Sequence, residues 1–293
     1  MEDKNLICPL CHAEFQNYQC VACGYEVLEE KGVLVFPSRL VRVFSGYSTK
    51  TGLEAYTRPE PNPPSDYYPR YIPEAARVVL DVGGGDGWAL AGFAQSHPSS
   101  TVYVVDADFD NLVRVPKRGL CNLRALNCTA TMLPFRDESV DAVFTLFMVE
   151  HMYDYQYSDF LFEARRVLKP GGKLIVATDG DVYDKWLHPI LRLLIERRFR
   201  TSGFLEKWYA MTESTNHHNL KSPYQTKRWL DQHGFFIQDI RLHLIAGRRW
   251  IAKIAYELLL PPLFTQKFLT TMYVVIARKP EGAYSLSGSG RHG

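Results

Sequence analysis

The 293-residue chain predicts an α/β fold: a parallel, doubly wound sheet with a small cysteine-based unit at its N-terminus. Two observations predict the sheet. From about Arg77 onward, short apolar runs alternate with helical patterns, which places strands in parallel with helices on both faces. The run Val79-Leu80-Asp81-Val82-Gly83-Gly84-Gly85-Asp86-Gly87 is a buried strand that ends in an acid and breaks into a glycine loop before a helix. A third observation predicts the N-terminal unit, namely two C-x-x-C pairs within residues 8–23.

Taken in order, residues 1–40 read as a zinc ribbon. Cys8, Cys11, Cys20 and Cys23 form two knuckles whose thiolates converge on one tetrahedral Zn²⁺. So short a segment cannot bury a core of its own, and the structural metal takes that place. A redox C-x-x-C pair is the alternative. His12 reads as a surface neighbour, and the ribbon ends with the strand Val33-Leu34-Val35-Phe36 before Pro37. Residues 41–74 read as a linker, because Pro59, Pro61, Pro63 and Pro64 sustain neither a helix nor an inner strand. Tyr67, Tyr68 and Tyr71 at its far end pack on the main domain, lining an acceptor pocket being the alternative.

The main domain covers residues 75–280, with strands expected at 78–82, 102–106, 140–146, 172–178, 235–245 and 270–278. Helices are expected notably at 87–96, 157–168 and 224–233. The last strand follows its predecessor without a clear crossover helix, so an antiparallel insertion is expected. Insertions fall near 182–222 and 246–268, and residues 281–293 form a Gly/Ser-rich disordered tail.

The net charge of +2 implies no polyanion partner for the chain as a whole, although a local basic patch would suffice for one. No apolar run reaches membrane-spanning length, and Met1-Glu2-Asp3-Lys4 lacks the order of a signal peptide. Four clustered cysteines and two lone thiols, Cys121 and Cys128, fit a reducing cytoplasmic setting.

The glycine loop is not built for a pyrophosphate. Carboxylates at its mouth repel phosphate, and Trp88 stands where the dinucleotide spacing needs its third glycine. Asp81 and Asp86 instead suit a ligand bearing a cation and hydroxyls. Asp106 ends the second strand, where an acid can take both hydroxyls of a ribose. Two further signals follow: Ala130-Thr131-Met132-Leu133-Pro134-Phe135, and Arg166-Val167-Leu168-Lys169-Pro170-Gly171-Gly172.

Together these motifs resemble the class I S-adenosylmethionine-dependent methyltransferases, over roughly residues 75–280. The resemblance implies a Rossmann-like methyltransferase sheet. It also implies that Gly83 and Gly85 pass under the methionine and ribose, with Asp81 near the amino group. Asp106 would take the ribose, Ala107 would flank the adenine, and Thr131, Met132 and Leu146 would complete the cofactor contacts. Two positions depart from the family pattern: Thr129 replaces an acid that accepts from the adenine amino group, and Leu146 replaces a small polar residue.

Methyl transfer is an in-line displacement at a sulfonium carbon, so alignment is the main task, with a base needed only where the acceptor must lose a proton. Glu150-His151 matches the family's E-H pair, and His151 is the candidate catalytic base or acceptor-orienting group. A backbone hydrogen-bonding role for His151 is the equal alternative. The His217-His218 pair resembles the stretch before the family's last long helix, whose residues often face the acceptor.

The two insertions carry Trp-bearing basic amphipathic patterns, which suit a lipophilic or lipid-like acceptor and peripheral membrane contact. Helices packed as lids or dimer contacts are the plainer reading. The N-terminal ribbon resembles the small zinc-ribbon proteins that activate methyltransferases in trans, here fused in cis over residues 6–37. Zinc ribbons also head ribosomal-RNA methyltransferases, so RNA is the runner-up acceptor, and a non-catalytic partner module is the third reading.

Overall fold

The computed structural model describes residues 3–38, 60–180, 219–243 and 272–282. The ribbon opens with the two-stranded pair β1 (Phe15–Gln16) and β2 (Gln19–Cys20), followed by β3 (Leu28–Glu30) and β4 (Val33–Val35). The main body continues with β5 (Val78–Val82), α1 (Ala91–Ser96), β6 (Thr101–Asp106), α2 (Phe109–Leu112) and β7 (Leu123–Asn127). It then runs through β8 (Val140–Leu146), α3 (Asp154–Val167) and β9 (Leu168–Asp179). The described chain ends with α4 (Pro223–Gln232), β10 (Phe236–His243) and β11 (Met272–Arg278).

Across the sheet the order is β10-β11-β9-β8-β5-β6-β7-β4-β3. Strands β7, β6, β5, β8 and β9 run parallel, so their carboxyl ends share one edge. The chain order reverses on either side of β5, and such a switch point opens a crevice above the carboxyl ends. The central strands are buried on both faces, as their unbroken apolar runs require. Leu80, Val82, Val143 and Val176 pack on one side, and Val79, Phe144, Ile175 and Ala177 on the other. As expected, β11 inserts antiparallel, between β9 and β10.

Local chemistry sets the helix ends. At α4, Ser222 Oγ accepts from Gln225 N while Gln225 Oε1 accepts from Ser222 N, and Pro223 occupies the first turn, where its missing N–H costs nothing. α3 stops at Val167 because Pro170 follows and Gly171 adopts φ +78°.

Three details differ from the sequence reading. The helix expected over 87–96 begins only at Ala91, since Gly87 to Leu90 are used in the turn that leaves the glycine loop. The strand expected at 172–178 extends to Leu168–Asp179, running through Pro170-Gly171-Gly172 by a register shift against β8. Strand β7 was not expected at all.

The ribbon also joins the main sheet. β4 pairs in parallel with β7, matching Val33 with Ala125, Leu34 with Leu126 and Val35 with Asn127. Ahead of it, Asp3 accepts from Tyr103 Oη and pairs with Arg124, while Ile7 N donates to Pro134 O over 3.1 Å. Among the described residues no helix is long and apolar enough to cross a membrane. Of the predicted insertions, 246–268 lies outside the described residues, as does 182–222 except for Asn219 to Ser222.

Candidate functional site

The site lies on the sheet edge formed by the carboxyl ends of β5, β6, β7 and β8. The glycine loop after β5 is a tight wrap over a carboxylate. A Cβ at Gly84 would sit 2.6 Å from Asp81 Cγ, and one at Gly83 would sit 2.7 Å from Met148 Cβ. Gly83 and Gly85 have φ +74° and +56°, the left-handed region that glycine enters without a steric cost. A Cβ at Gly85 would meet nothing within 4 Å, so this stretch of backbone faces open space.

Beneath the loop, Asp81 is fully buried, and neither carboxylate oxygen has a hydrogen-bond partner among the described residues. Burial pushes its pKa up to about 8, and the charges of Asp106 and Asp86 push the same way. A buried acid without a donor is costly unless a ligand supplies one. Such a carboxylate can accept from a cationic or N–H-bearing group, the chemistry the sequence reading assigns to Asp81.

Asp106, at the end of β6, accepts from Gly85 N over 2.9 Å and from Asp108 N over 2.8 Å. Burial raises its pKa to about 6, against the lowering effect of those backbone donors. The glycine loop and the second-strand acid are therefore one hydrogen-bonded unit. Ala107 follows, its carbonyl held by Asn127 Nδ2, which also donates to Asp106 O. Asn127 ends β7 and leads into the Thr129–Met132 turn. There Thr129 Oγ1 accepts from Thr131 N over 3.3 Å and pairs with Thr131 Oγ1 over 2.9 Å. Thr131 and Met132 are half-buried at that rim, and Leu146 is buried at the end of β8.

After Leu146, Phe147 takes φ +51°, a conformation a bulky side chain seldom adopts. This turn lays Met148 on Gly83 and starts the short 3-10 turn Val149–His151. Glu150 is fully buried, accepting from Thr178 Oγ1 over 2.8 Å, while its carbonyl accepts from Asn219 N. His151, next to it, is half-buried at the same edge. The His217-His218 pair lies outside the described residues.

Asp86 departs from the sequence reading. Its Oδ2 accepts from the backbone N and the Nδ2 of Asn62, at 2.7 and 2.8 Å, and its Oδ1 pairs with Arg118 over 3.1 Å. Arg118 also donates to Asp86 O and Asn62 O. Asp86 is thus committed to stapling the incoming segment onto the loop and is not available to a ligand.

Part of the chain is similar to known proteins. Residues 80–176 match a family described as "Methyltransferase domain". The middle of the chain is thus similar to a methyltransferase domain. Among curated relatives, the ubiquinone/menaquinone biosynthesis C-methyltransferase UbiE of Bordetella avium is 39% identical over 103 residues, covering 33% of this chain and 39% of that protein. Its counterpart in Cupriavidus metallidurans is 31% identical over 152 residues, covering 48% and 60%. The demethylmenaquinone methyltransferase of Tropheryma whipplei is 33% identical over 153 residues, covering 47% and 63%. The chain therefore spans about half the length of the curated relatives it matches.

Two solved structures share the fold. One is a chain from the complex of the Haloferax volcanii Trm112 methyltransferase activator with a methyltransferase, at TM-score 0.57 and 15% identity, covering 84% of this chain and 100% of that one. The other is Haemonchus contortus phosphoethanolamine N-methyltransferase 2 in complex with S-adenosyl-L-methionine, at TM-score 0.52 and 16% identity, covering 82% and 60%. The matched residues 80–176 run from β5 to β9, the strands whose carboxyl ends line the candidate site.

The second cluster lies in the ribbon. The sulfur atoms of Cys8, Cys11, Cys20 and Cys23 all lie within 4.8 Å of one another, with Cys8–Cys23 at 3.6 Å and Cys11–Cys20 at 3.4 Å. Zinc–sulfur bonds of roughly 2.3 Å in a tetrahedron place sulfurs somewhat under 4 Å apart, so this donor set fits a single soft cation. His12 is not part of that group.

Proposed function

We propose that this chain transfers a methyl group from S-adenosylmethionine to a small lipophilic acceptor, with an aromatic quinol-like ring as the class its relatives suggest. The observation that carries the donor half is Asp81, a fully buried and unpartnered carboxylate directly under a glycine loop. The donor's ammonium supplies the missing cation, and its ribose hydroxyls suit Asp106, whose two oxygens are already oriented by Gly85 and Asp108. Gly83 and Gly85 allow close approach of the ligand. Ala107, Thr131, Met132 and Leu146 complete its walls.

S-adenosylmethionine brings an activated methyl group and its own leaving group. The protein's work is to align the acceptor on the line from sulfur through carbon and to exclude water. His151, on the turn that packs against the glycine loop, takes the acceptor's proton where the acceptor must lose one. Glu150, anchored to Thr178, fixes that turn.

In this reading the four ribbon cysteines hold structural zinc, and the ribbon acts as a built-in activator of the domain to which β4 is paired. The acceptor class rests on the UbiE-type relatives and on the apolar, basic sequence of the insertions.

Titration calorimetry with S-adenosylmethionine tests the donor half, and absence of binding refutes it and favours a non-catalytic partner module. Transfer of labelled methyl to a demethylated quinol, set against ribosomal and transfer RNA, tests the acceptor half. Label in RNA alone overturns the lipophilic reading. His151→Ala is expected to lower kcat and leave donor affinity within about threefold, as fits a group that acts only on the acceptor.

A further inference from the structure

The sequence marked Leu133-Pro134-Phe135 and the Arg166 stretch as separate motifs. The structure shows them to be one device. All five donor hydrogens of the Arg166 guanidinium are used. Nη2 donates to Leu133 O and to Glu163 Oε2, each over 2.8 Å. Nη1 donates to Phe135 O over 2.7 Å and to Asp137 Oδ1 over 2.8 Å. Nε donates to Glu163 Oε1 over 2.8 Å, and Glu163 Oε2 in turn accepts from Leu133 N over 2.8 Å. Arg166 and Glu163 sit one turn apart on α3, with side chains only 17% and 19% exposed, so the contacts are largely shielded from water.

The loop is gripped from the opposite side as well. Ile7 N donates to Pro134 O, Arg136 N donates to Asn5 O over 3.3 Å, and Leu6 bridges to Phe135. Three successive carbonyls, of Leu133, Pro134 and Phe135, are thus held by groups outside the loop. Among the described residues, Thr131 and Met132 immediately upstream have only the internal bonds of their own turn. Their position at the rim depends on the clamped segment that follows them.

We propose that Arg166 and Glu163 are positioning residues for the donor: their clamp fixes the Thr131–Met132 wall against the adenosyl half of S-adenosylmethionine. The proposal rests on the donor reading above and adds to it residues that do not touch the ligand. Lysine cannot replace Arg166, because a point charge with three donors does not span two carbonyls and a carboxylate in one plane. The adenosyl half is common to donor and demethylated product. Loosening its wall therefore weakens both ligands by the same factor and leaves discrimination at the sulfonium unchanged.

The test uses the full chain with Arg166→Lys, Glu163→Gln and, as a control that removes only the outer ion pair, Asp137→Asn. Affinities for S-adenosylmethionine and S-adenosylhomocysteine are read by calorimetry, and amide hydrogen exchange is read across residues 129–136. Arg166→Lys is expected to weaken both ligands about tenfold, the scale of one lost charge-assisted bond. The ratio of the two affinities should stay at the wild-type value, with faster exchange confined to the loop. Asp137→Asn should stay within about twofold. Unchanged affinity in folded Arg166→Lys overturns the proposal, as does weakening of one ligand alone. If Arg166→Lys does not fold, Glu163→Gln decides. It keeps an acceptor for Leu133 N but loses the charge, so both ligands should weaken about threefold, and no change overturns the clamp. Failure of the wild-type protein to bind either ligand would refute the donor reading itself, a result distinct from all of these.

Discussion

Replacing Asp81 by Asn isolates the charge of the buried carboxylate without changing its size. In the free protein burial lifts the pKa of Asp81 from 3.8 to about 8. The unfolded chain therefore gives up this proton near pH 4, while the folded protein keeps it until about pH 8. Folding then binds the extra proton, so this contribution to stability is fully present below pH 4 and is lost as pH rises toward 8. Each unit is worth about 1.4 kcal/mol, so between pH 6 and pH 8.5 the wild-type protein loses roughly 3 kcal/mol through this one group.

Asparagine has no such slope. Its own cost, a buried amide that lacks partners, is the same at both pH values and cancels in the comparison. Asp106 titrates in both proteins and cancels to first order. The melting temperature of the variant relative to wild type should therefore rise by roughly 6–12 °C on going from pH 6 to pH 8.5, at about 2–4 °C per kcal/mol. Differential scanning fluorimetry without ligand measures it. Donor binding moves the opposite way, because the ammonium loses its carboxylate, and affinity near pH 8 should fall about 10- to 100-fold. Parallel pH profiles of melting temperature in the two proteins would refute the assignment of a buried, protonatable Asp81. An undiminished affinity would refute its role toward the donor.

Three other outcomes follow from the same geometry. Asp106→Ala removes the group that orders Gly85 and, in the proposed site, would face the ribose, and should weaken S-adenosylmethionine binding by about 1–3 kcal/mol in calorimetry. Asp86→Ala leaves Arg118 buried without its counter-charge and frees Asn62. It should cost about 3–5 kcal/mol in urea unfolding, with donor affinity of the folded fraction reduced far less than by Asp106→Ala. Metal analysis should find one zinc per chain. Its removal by a chelator should speed amide exchange in β4 and at Ile7, and should weaken donor binding through Pro134 and Asn127.

The sheet was readable from sequence where a strand is a long, β-branched or aromatic run. Val78–Val82 and Val140–Leu146 fall on the expected residues. Strand β7 was missed for a physical reason. Leu123-Arg124-Ala125-Leu126-Asn127 holds no β-branched or aromatic residue, and its extended form comes from two neighbours, β6 on one side and β4 on the other. That second neighbour is about ninety residues away in sequence, Val33 pairing with Ala125, and no local pattern announces such a pairing. The ribbon thus looked like a separate unit when it forms the edge of the sheet. The Arg166 motif was visible, but its five contacts require helix and loop to be in place together.

Three acids near the glycine loop show where sequence reasoning stops. Asp81 and Asp106 lie toward the ends of β5 and β6, Asp86 lies inside the glycine loop, and all three read as ligand groups. In the folded protein each has a different environment. Asp86 has four donors, including a buried arginine, and so behaves as a structural ion pair. Asp106 has two backbone donors, and burial still lifts its pKa above the ordinary value. Asp81 has no donor among the described residues. A folded chain with a full set of donors for Asp81 would be more stable without a ligand, and its loop would have no need of the cation. In the proposed site, the lack of a donor to Asp81 among the described residues is the feature that sets it apart from a well-satisfied turn, and it depends on where Asn62 and Arg118 point.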